Sequence, residues 1–443
     1  MGISVFDSVI FGGLLSDDVL VALFDDHAHI RAMLDVEAAL ALAEGKVGVI
    51  PRPAAEEIAK AARALELDPS ALRQETAKAA IPVPALVGAL REAVGGNAAQ
   101  YVHWGATTQD IMDTGLVLRL RQALDVIASR LNTTIDLLAN LAETHRATVM
   151  VGRTRYQQAV PTSFGLKVAG WLAPLVRDRD RLGQLRPRAL MLSFGGAAGT
   201  LSALGEQGIA VASGLADELN LPLSPMPWHS QRDGIAELSG WLSLVTACLG
   251  KMGQDVLLMT QSEVGEVREG LDGGGSSTMP QKANPVASEV LVTLARANAG
   301  LLATMHQAML QEHERGGPGW QLEWATLPQM VIATGCALGH AERLTTSLEV
   351  NAERMRDNLD RSNGLILAEA ASFALSKYLP RPQAQALVKA ACIDCQQTGR
   401  HLLDVLAEQS SAPVNWSAMR DPANHLGTAN GFIDAVLQGA GTG

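Results

Sequence analysis

The sequence predicts an all-α protein built around a bundle of five long helices, and three observations carry this. From Thr114 onward, Leu116, Leu120, Leu124, Ile127, Leu131, Ile135, Leu138 and Leu141 recur at steps of three or four, one apolar stripe on a helix of about 30 residues and roughly 45 Å. Four further stretches, near 162–187, 234–265, 285–313 and 321–348, repeat that period. No segment sustains a two-residue alternation, and the 47% of hydrophobic residues is drawn from Ala and Leu, with only 4% aromatics, a composition suited to closely packed helices. Helices this long bury their stripes against one another, so a bundle is the natural arrangement.

The remaining elements follow in order. Residues 1–112 read as shorter helices, with Ser16-Asp17-Asp18 as a helix cap and breaks at Pro51, Pro53 and Ile81-Pro82-Val83-Pro84. Residues 113–358 hold the long helices, with Pro174 and Pro328 expected to kink two of them. Residues 359–443 return to shorter helices, broken near Pro380, Pro382 and Pro413.

Composition narrows the function. A chain of 443 residues exceeds one ordinary core. The net charge of -11, with no Lys/Arg block, argues against nucleic acid or an anionic membrane as partner. Four cysteines fit a reducing, cytoplasmic setting without disulfides. Cys392 and Cys395 form a lone C-x-x-C with no second pair or His cluster, so they read as two small residues on one helix face rather than a metal site. No signal peptide or membrane span is expected.

The chemistry concentrates in three loops. Gly273 to Pro285 reads GGGSSTMPQKANP, which places Ser276, Lys282 and Asn284 close together behind three glycines. A loop this polar in a chain this apolar points to function, and it is no phosphate loop, because Lys282 is followed by Ala283. A second block, Tyr101 to Asp110, gathers His103, Thr107, Thr108 and Gln109 at the start of a helix, a ready anion site. A third, Gly152 to Thr162, carries Arg153, Arg155 and Gln158.

The order Gly-Ser-Ser-x-Met-Pro-x-Lys-x-Asn-Pro at 275–285 resembles the signature of the fumarase/aspartase superfamily, which includes argininosuccinate and adenylosuccinate lyases. The resemblance implies a three-domain architecture with a central five-helix bundle, and a homotetramer whose active sites draw loops from three subunits. It makes Ser276 the catalytic serine, with Lys282 and Asn284 beside it. Residues 101–110 resemble the first conserved region of the adenylosuccinate lyase branch, where such side chains hold substrate carboxylates.

Residues 152–162 resemble the second conserved region, usually Thr-His-x-Gln before a Pro, but the histidine is replaced by Arg155. An arginine stays protonated and cannot serve as a general acid. An amine leaving group needs a proton, whereas a carboxylate, with a conjugate-acid pKa of about 4, needs none. Arg155 can hold such a carboxylate by a two-pronged hydrogen bond. The expected reaction is therefore an elimination, or its reverse, in which the departing or attacking group is a carboxylate. One branch of the superfamily closes a carboxylated muconate to a lactone. Gly152-Arg153-Thr154-Arg155, Phe6-Asp7-Ser8, Arg31 to Leu40, His313-Glu314-Arg315 and Trp320 to Trp324 resemble that branch.

On this reading Ser276 delivers a proton to carbon, and Lys282 and Asn284 stabilise the enediolate. Thr108 and Gln109 hold a carboxylate, and Arg153 and Arg155 orient the attacking one. Arg232 and Arg315 add positive field for a small polycarboxylate substrate. The loop from Phe194 to Thr200 lets backbone approach the ligand, and His229 and His306 are structural. No step needs a metal or a cofactor. The rival readings are a C–N lyase releasing fumarate, a cycloisomerase for a sulfo- or chloro-muconate, and a non-catalytic helical protein.

Overall fold

A computed structural model of the chain describes residues 4–270, 274–275, 279 and 282–441. Helix dominates. We label the Asp26–Val47 helix α1 and the five long helices α2 (Thr108–Thr144), α3 (Phe164–Ala189), α4 (Asp233–Met259), α5 (Val286–Ala308) and α6 (Pro318–Ser347). Leu120, Leu124, Ile127, Leu131, Ile135 and Leu138 of the first stripe are completely buried; each contributes about 1.5–3 kcal/mol over exposure. Helix α2 begins earlier than Thr114 because Asp110 accepts the Thr107 N–H at 2.9 Å, half of a capping box. Asp17 caps the Asp18–Phe24 helix, accepting from Leu20 N at 3.0 Å. Helices α3 and α6 run on past Pro174 and Pro328.

The chain divides into two compact units, interleaved along the sequence. The first comprises Met1–Arg130, Asp178–Ala247 and Leu294–Ala337; the second comprises Leu131–Arg177, Cys248–Thr293 and Leu338–Gly443. Each of α2 to α6 therefore contributes a segment to both. In the first unit, the Asn298 amide donates to Met330 O at 3.3 Å and Thr334 Oγ1 at 3.1 Å, tying α5 to α6. In the second, Trp171 Nε1 donates to Asp255 at 2.8 Å, tying α3 to α4. The C-terminal helices close their own core around Leu359, Leu367, Leu402 and Leu406. Cys395 is buried in that core, with Cys392 packed against it on the same Arg381–Thr398 helix.

Strand content is small but not nil. The strands β1 (Val149–Thr154), β2 (Gln157–Ser163), β3 (Val267–Arg268), β4 (Gly274–Gly275), β5 (Ala283–Asn284) and β6 (Glu349–Val350) form three antiparallel ladders, β1–β2, β3–β6 and β4–β5. Sequence alternation missed them because most are two residues long, and because the hairpin carries Gly152 and Pro161, which weaken a strand pattern.

Helices α4 and α5 are long and apolar enough, by composition, to cross a membrane. Core helices of bundles pass the same test. The most apolar stretch of α4 is 56% buried within the chain, that of α5 only 28%. Apolar residues of α5 such as Val292, Leu301 and Leu302 are thus only partly covered by their own chain.

Candidate active site

The sequence-predicted residues fall into two groups, one in each unit. His103, Thr107, Thr108, Gln109, Arg232 and Arg315 belong to the first, and Arg153, Arg155, Gln158, Lys282 and Asn284 to the second. Ser276 lies outside the described residues.

In the first unit the group gathers at the N-terminus of α2. Asp110 organises it: its carboxylate accepts from Thr107 N, from Gly195 N at 2.8 Å and from Gly196 N at 3.0 Å, and meets His229 Nε2 at 2.7 Å. Gly195 is required at this approach, since a Cβ there would lie 2.6 Å from Pro227. In the loop expected to let backbone approach a ligand, the amides of Gly195 and Gly196 are therefore spent on Asp110, because a buried carboxylate needs donors. His229 is itself buried.

One turn along α2, Asp113 accepts from Gln109 Nε2 at 3.0 Å, from Trp320 Nε1 at 3.0 Å and from both Nη atoms of Arg232 at 2.7 and 3.2 Å. The other edge of the Arg232 guanidinium pairs with Glu323 at 2.8 and 2.5 Å, and its face lies over Trp228. All three charged groups are buried. Burial opposes the charge on Arg232, but the attraction of Asp113 and Glu323 outweighs it and raises its pKa. Burial also raises Glu323 against the pull of Arg232.

Two readings change accordingly. Arg232 has both edges occupied by protein carboxylates, so it holds the frame rather than adding open positive field. Gln109 donates to Asp113 and, at 2.9 Å, to His229 O, so its amide cannot turn without facing two acceptors. What it has left is Oε1, which has no protein hydrogen-bond partner among the described residues, so Gln109 is not a donor to a substrate carboxylate in this conformation. Arg315 reaches Thr107 Oγ1 at 2.5 Å, and with Thr108, Gln109 and Trp320 it lines a cavity of about 240 Å3. His103 lies just before this helix start, with Nδ1 2.6 Å from Glu37 Oε1.

In the second unit, Arg153 and Gln158 face each other across the β1–β2 hairpin, and Arg155 and Tyr156 form its two-residue turn. Both turn residues have positive φ, 49° and 66°. Primed hairpin turns require this and normally recruit Asn or Gly; two bulky residues here store strain, of the kind found at functional sites. Arg155 is exposed and makes no hydrogen bond or ion pair with the described residues. Arg153 instead grips the buried Glu266 with both Nη atoms at 2.8 and 2.7 Å, and Asn358 adds a third donor to Glu266 at 3.0 Å. The two arginines that look alike in sequence are thus spent differently: Arg153 anchors the hairpin and Arg155 is presented.

Lys282 and Asn284 sit where β5 returns beside β4, Asn284 opposite Gly274. They line a cavity of about 700 Å3 with Arg268, Glu269, Thr260 and Glu353. Asn284-Pro285 leads into α5, whose N-terminus is held by the buried Glu269. Its carboxylate accepts from Ala287 N at 3.1 Å, Ser288 N at 2.9 Å and Ser288 Oγ at 2.6 Å. A carboxylate over free helix N–H groups is a favourable cap, and here it comes from outside the helix.

The residues that sequence reasoning passed over are the buried acids Glu37, Asp110, Asp113, Glu266, Glu269 and Glu323, which fix the chosen side chains in place. Glu37 and Glu323 gave one signal, a charge inside an otherwise apolar stretch; Asp110, Asp113, Glu266 and Glu269 lie among polar neighbours and gave none. Among the described residues no cluster of His, Cys, Asp or Glu is placed to hold a metal.

Helical units presenting a Lys-x-Asn-Pro strand, an arginine hairpin and a capped helix start define a lyase scaffold. The sequence profile of a lyase family matches residues 15–300, and the chain belongs to that family, within the fumarase/aspartase superfamily. Among its relatives, the 3-carboxy-cis,cis-muconate cycloisomerase of Pseudomonas aeruginosa is 46% identical over 426 residues, covering 94% of this chain and 93% of that protein. The enzyme of the same name from Bradyrhizobium diazoefficiens is 42% identical, covering 97% of this chain and 98% of that protein. The crystal structure of the 3-carboxy-cis,cis-muconate lactonizing enzyme from Pseudomonas putida superposes with a TM-score of 0.92 at 41% identity, covering 98% of this chain and 99% of that one.

Proposed function

We propose that this chain closes 3-carboxy-cis,cis-muconate to a carboxymuconolactone, an intramolecular addition of a carboxylate across a double bond. The observation that carries it is Arg155: where the superfamily pattern has a histidine, the chain presents a permanent cation at an exposed, strained turn. A carboxylate nucleophile needs a clamp, not an acid, and a guanidinium supplies one. The names of the relatives support the same substrate.

In this mechanism Arg155 draws the distal carboxylate against the double bond, lowering the entropic barrier. Negative charge builds on the carboxylate beside the other carbon, and Lys282 and Asn284 stabilise it. Ser276 gives the proton to carbon. Thr108, at the start of α2, and Arg315 hold a further carboxylate through the helix N-terminus and the guanidinium. Gln158 neighbours the clamp on β2. Gln109, Arg153 and Arg232 support the frame.

The assembly is a homotetramer in which each site is shared between subunits, and α5, whose apolar residues are only partly covered by their own chain, is the face on which copies pack. The enzyme is cytoplasmic and serves the breakdown of protocatechuate. Its three-part division, 1–112, 113–358 and 359–443, follows the superfamily plan.

The test is to mix purified protein with 3-carboxy-cis,cis-muconate and follow loss of the conjugated-diene absorbance, with adenylosuccinate in parallel. Rapid loss with a lactone product, and no fumarate from adenylosuccinate, is the expected result. Fumarate release from adenylosuccinate, with the muconate untouched, overturns it.

A further inference from the structure

Glu37 lies in α1 among Met33, Leu34, Val36 and Ala38, and its side chain is fully buried. A buried carboxylate is costly unless something answers it. Its Oε1 is 2.6 Å from His103 Nδ1, and its Oε2 has no protein partner among the described residues. His103 lies in no helix or strand and has φ 61°, a strained value for a non-glycine residue. The Arg91 guanidinium pins the backbone beside it by donating to Val102 O at 3.2 Å. The ring keeps a partly exposed edge, with a side-chain exposure of 16%. A strained backbone and a buried charge are thus both maintained to hold one imidazole in one orientation.

We propose that Glu37 is a positioning residue: it fixes His103 with Nδ1–H toward its own carboxylate and favours the cationic ring, leaving Nε2–H as a charged donor to a carboxylate of the substrate. This deepens the proposed function and rests on it. The charges around the ring come from three elements. Glu37 on α1 and Asp110 on α2 favour the imidazolium, and Arg91 on the Val83–Val94 helix opposes it. Burial pulls the ring the other way, but the attraction and hydrogen bond of Glu37 prevail, so His103 stays above its ordinary value. Glu44, two turns along α1, faces Glu37, and burial together with that neighbour pushes its carboxyl up to about 9. It is neutral at pH 7 and leaves Glu37 to answer His103.

The experiment is an NMR titration of histidine-labelled protein, with His103 assigned from the His103→Gln variant, on wild type, Glu37→Gln and Glu44→Gln. The same proteins are assayed for KM and kcat on 3-carboxy-cis,cis-muconate from pH 5.5 to 8.5. In wild type the His103 ring should titrate above the ordinary value of about 6.5. In Glu37→Gln it should fall by about one to three pH units, and in Glu44→Gln it should stay near wild type below pH 8. KM in Glu37→Gln should rise about tenfold at pH 7.5, the loss of one charge-assisted hydrogen bond, with little change at pH 5.5 and kcat largely kept. A wild-type His103 titrating at or below the ordinary value overturns the proposal even if neither glutamate variant folds. So does an unchanged titration in Glu37→Gln. If wild type leaves the muconate untouched, the proposed function fails, while the titration still decides whether Glu37 sets the charge of His103.

Discussion

The helix start at 107–113 and the hairpin tip at 153–158 both carry polar residues singled out from sequence, yet they are built in opposite ways. Around the helix start nearly every polar group is spent on another: Gln109 on Asp113 and His229 O, Arg232 on Asp113 and Glu323, and Asp110 on four donors. At the hairpin tip, Arg155 is exposed and strained, without a protein partner among the described residues. Burial is the difference. An unpaired charge inside the protein costs several kcal/mol, so interior groups pair with one another and become a frame. At the surface water solvates the free group, which leaves it available to a ligand. Changes to the frame should therefore register first in stability, and changes to the presented residues first in turnover.

The largest effect should come from Ser276, the proposed proton donor. Ser276→Ala should reduce kcat by about 10^3-fold or more, the scale of losing a positioned proton donor, with circular dichroism and oligomeric mass unchanged. Near wild-type turnover would remove Ser276 from the mechanism. Arg232→Ala tests the frame: it leaves Asp113 and Glu323 buried without their cation, and urea unfolding should show a loss of about 3–5 kcal/mol. A loss below about 1 kcal/mol would mean that this network adds little to the fold.

Glu44 gives the frame a pH signature. Its folded-state value, about 9, lies above its ordinary 4.5, so the folded state holds a proton that the unfolded chain releases. Its contribution is fully present below about pH 4.5 and is lost as pH rises through 9. Glu44→Gln removes that dependence. The variant should gain stability over wild type with rising pH, on the order of 3 kcal/mol between pH 5 and pH 8; parallel stability curves would refute the shift. The smallest effect on stability sharpens the contrast most. Arg155→Gly should relieve a positive-φ residue and leave the fold about 1 kcal/mol more stable. The same change should cost turnover roughly 10–100-fold by removing the clamp. Arg155→His should also lose turnover, because an imidazole is no permanent two-pronged donor.

Much of this molecule was legible in one dimension, for an identifiable reason. The stripe from Leu116 to Leu141 and its four counterparts repeat with the period of a helix, so the long helices and the buried face of the first could be read directly. The Gly-Ser-Ser to Asn-Pro run and the Arg155 departure are local in sequence, and they pointed to the superfamily and its carboxylate chemistry before any coordinates. The short ladders were not legible, since two-residue strands have no period to detect. Nor was the bond from Thr107 N to Asp110, half of a capping box, at the start of α2.

What the amino-acid order determined by itself was helical class, the lyase family and the three polar loops proposed to hold its chemistry, because each is written in neighbouring residues. Only the tertiary structure decided which polar side chain is spent and which is free. Arg153 and Arg155 stand two residues apart, yet one grips Glu266, more than a hundred positions away, and the other grips nothing among the described residues. Gln109 looked like a donor to substrate until Asp113 and His229 took both of its hydrogens. Pairings of that kind depend on burial and on distant partners, and neither is contained in a local pattern.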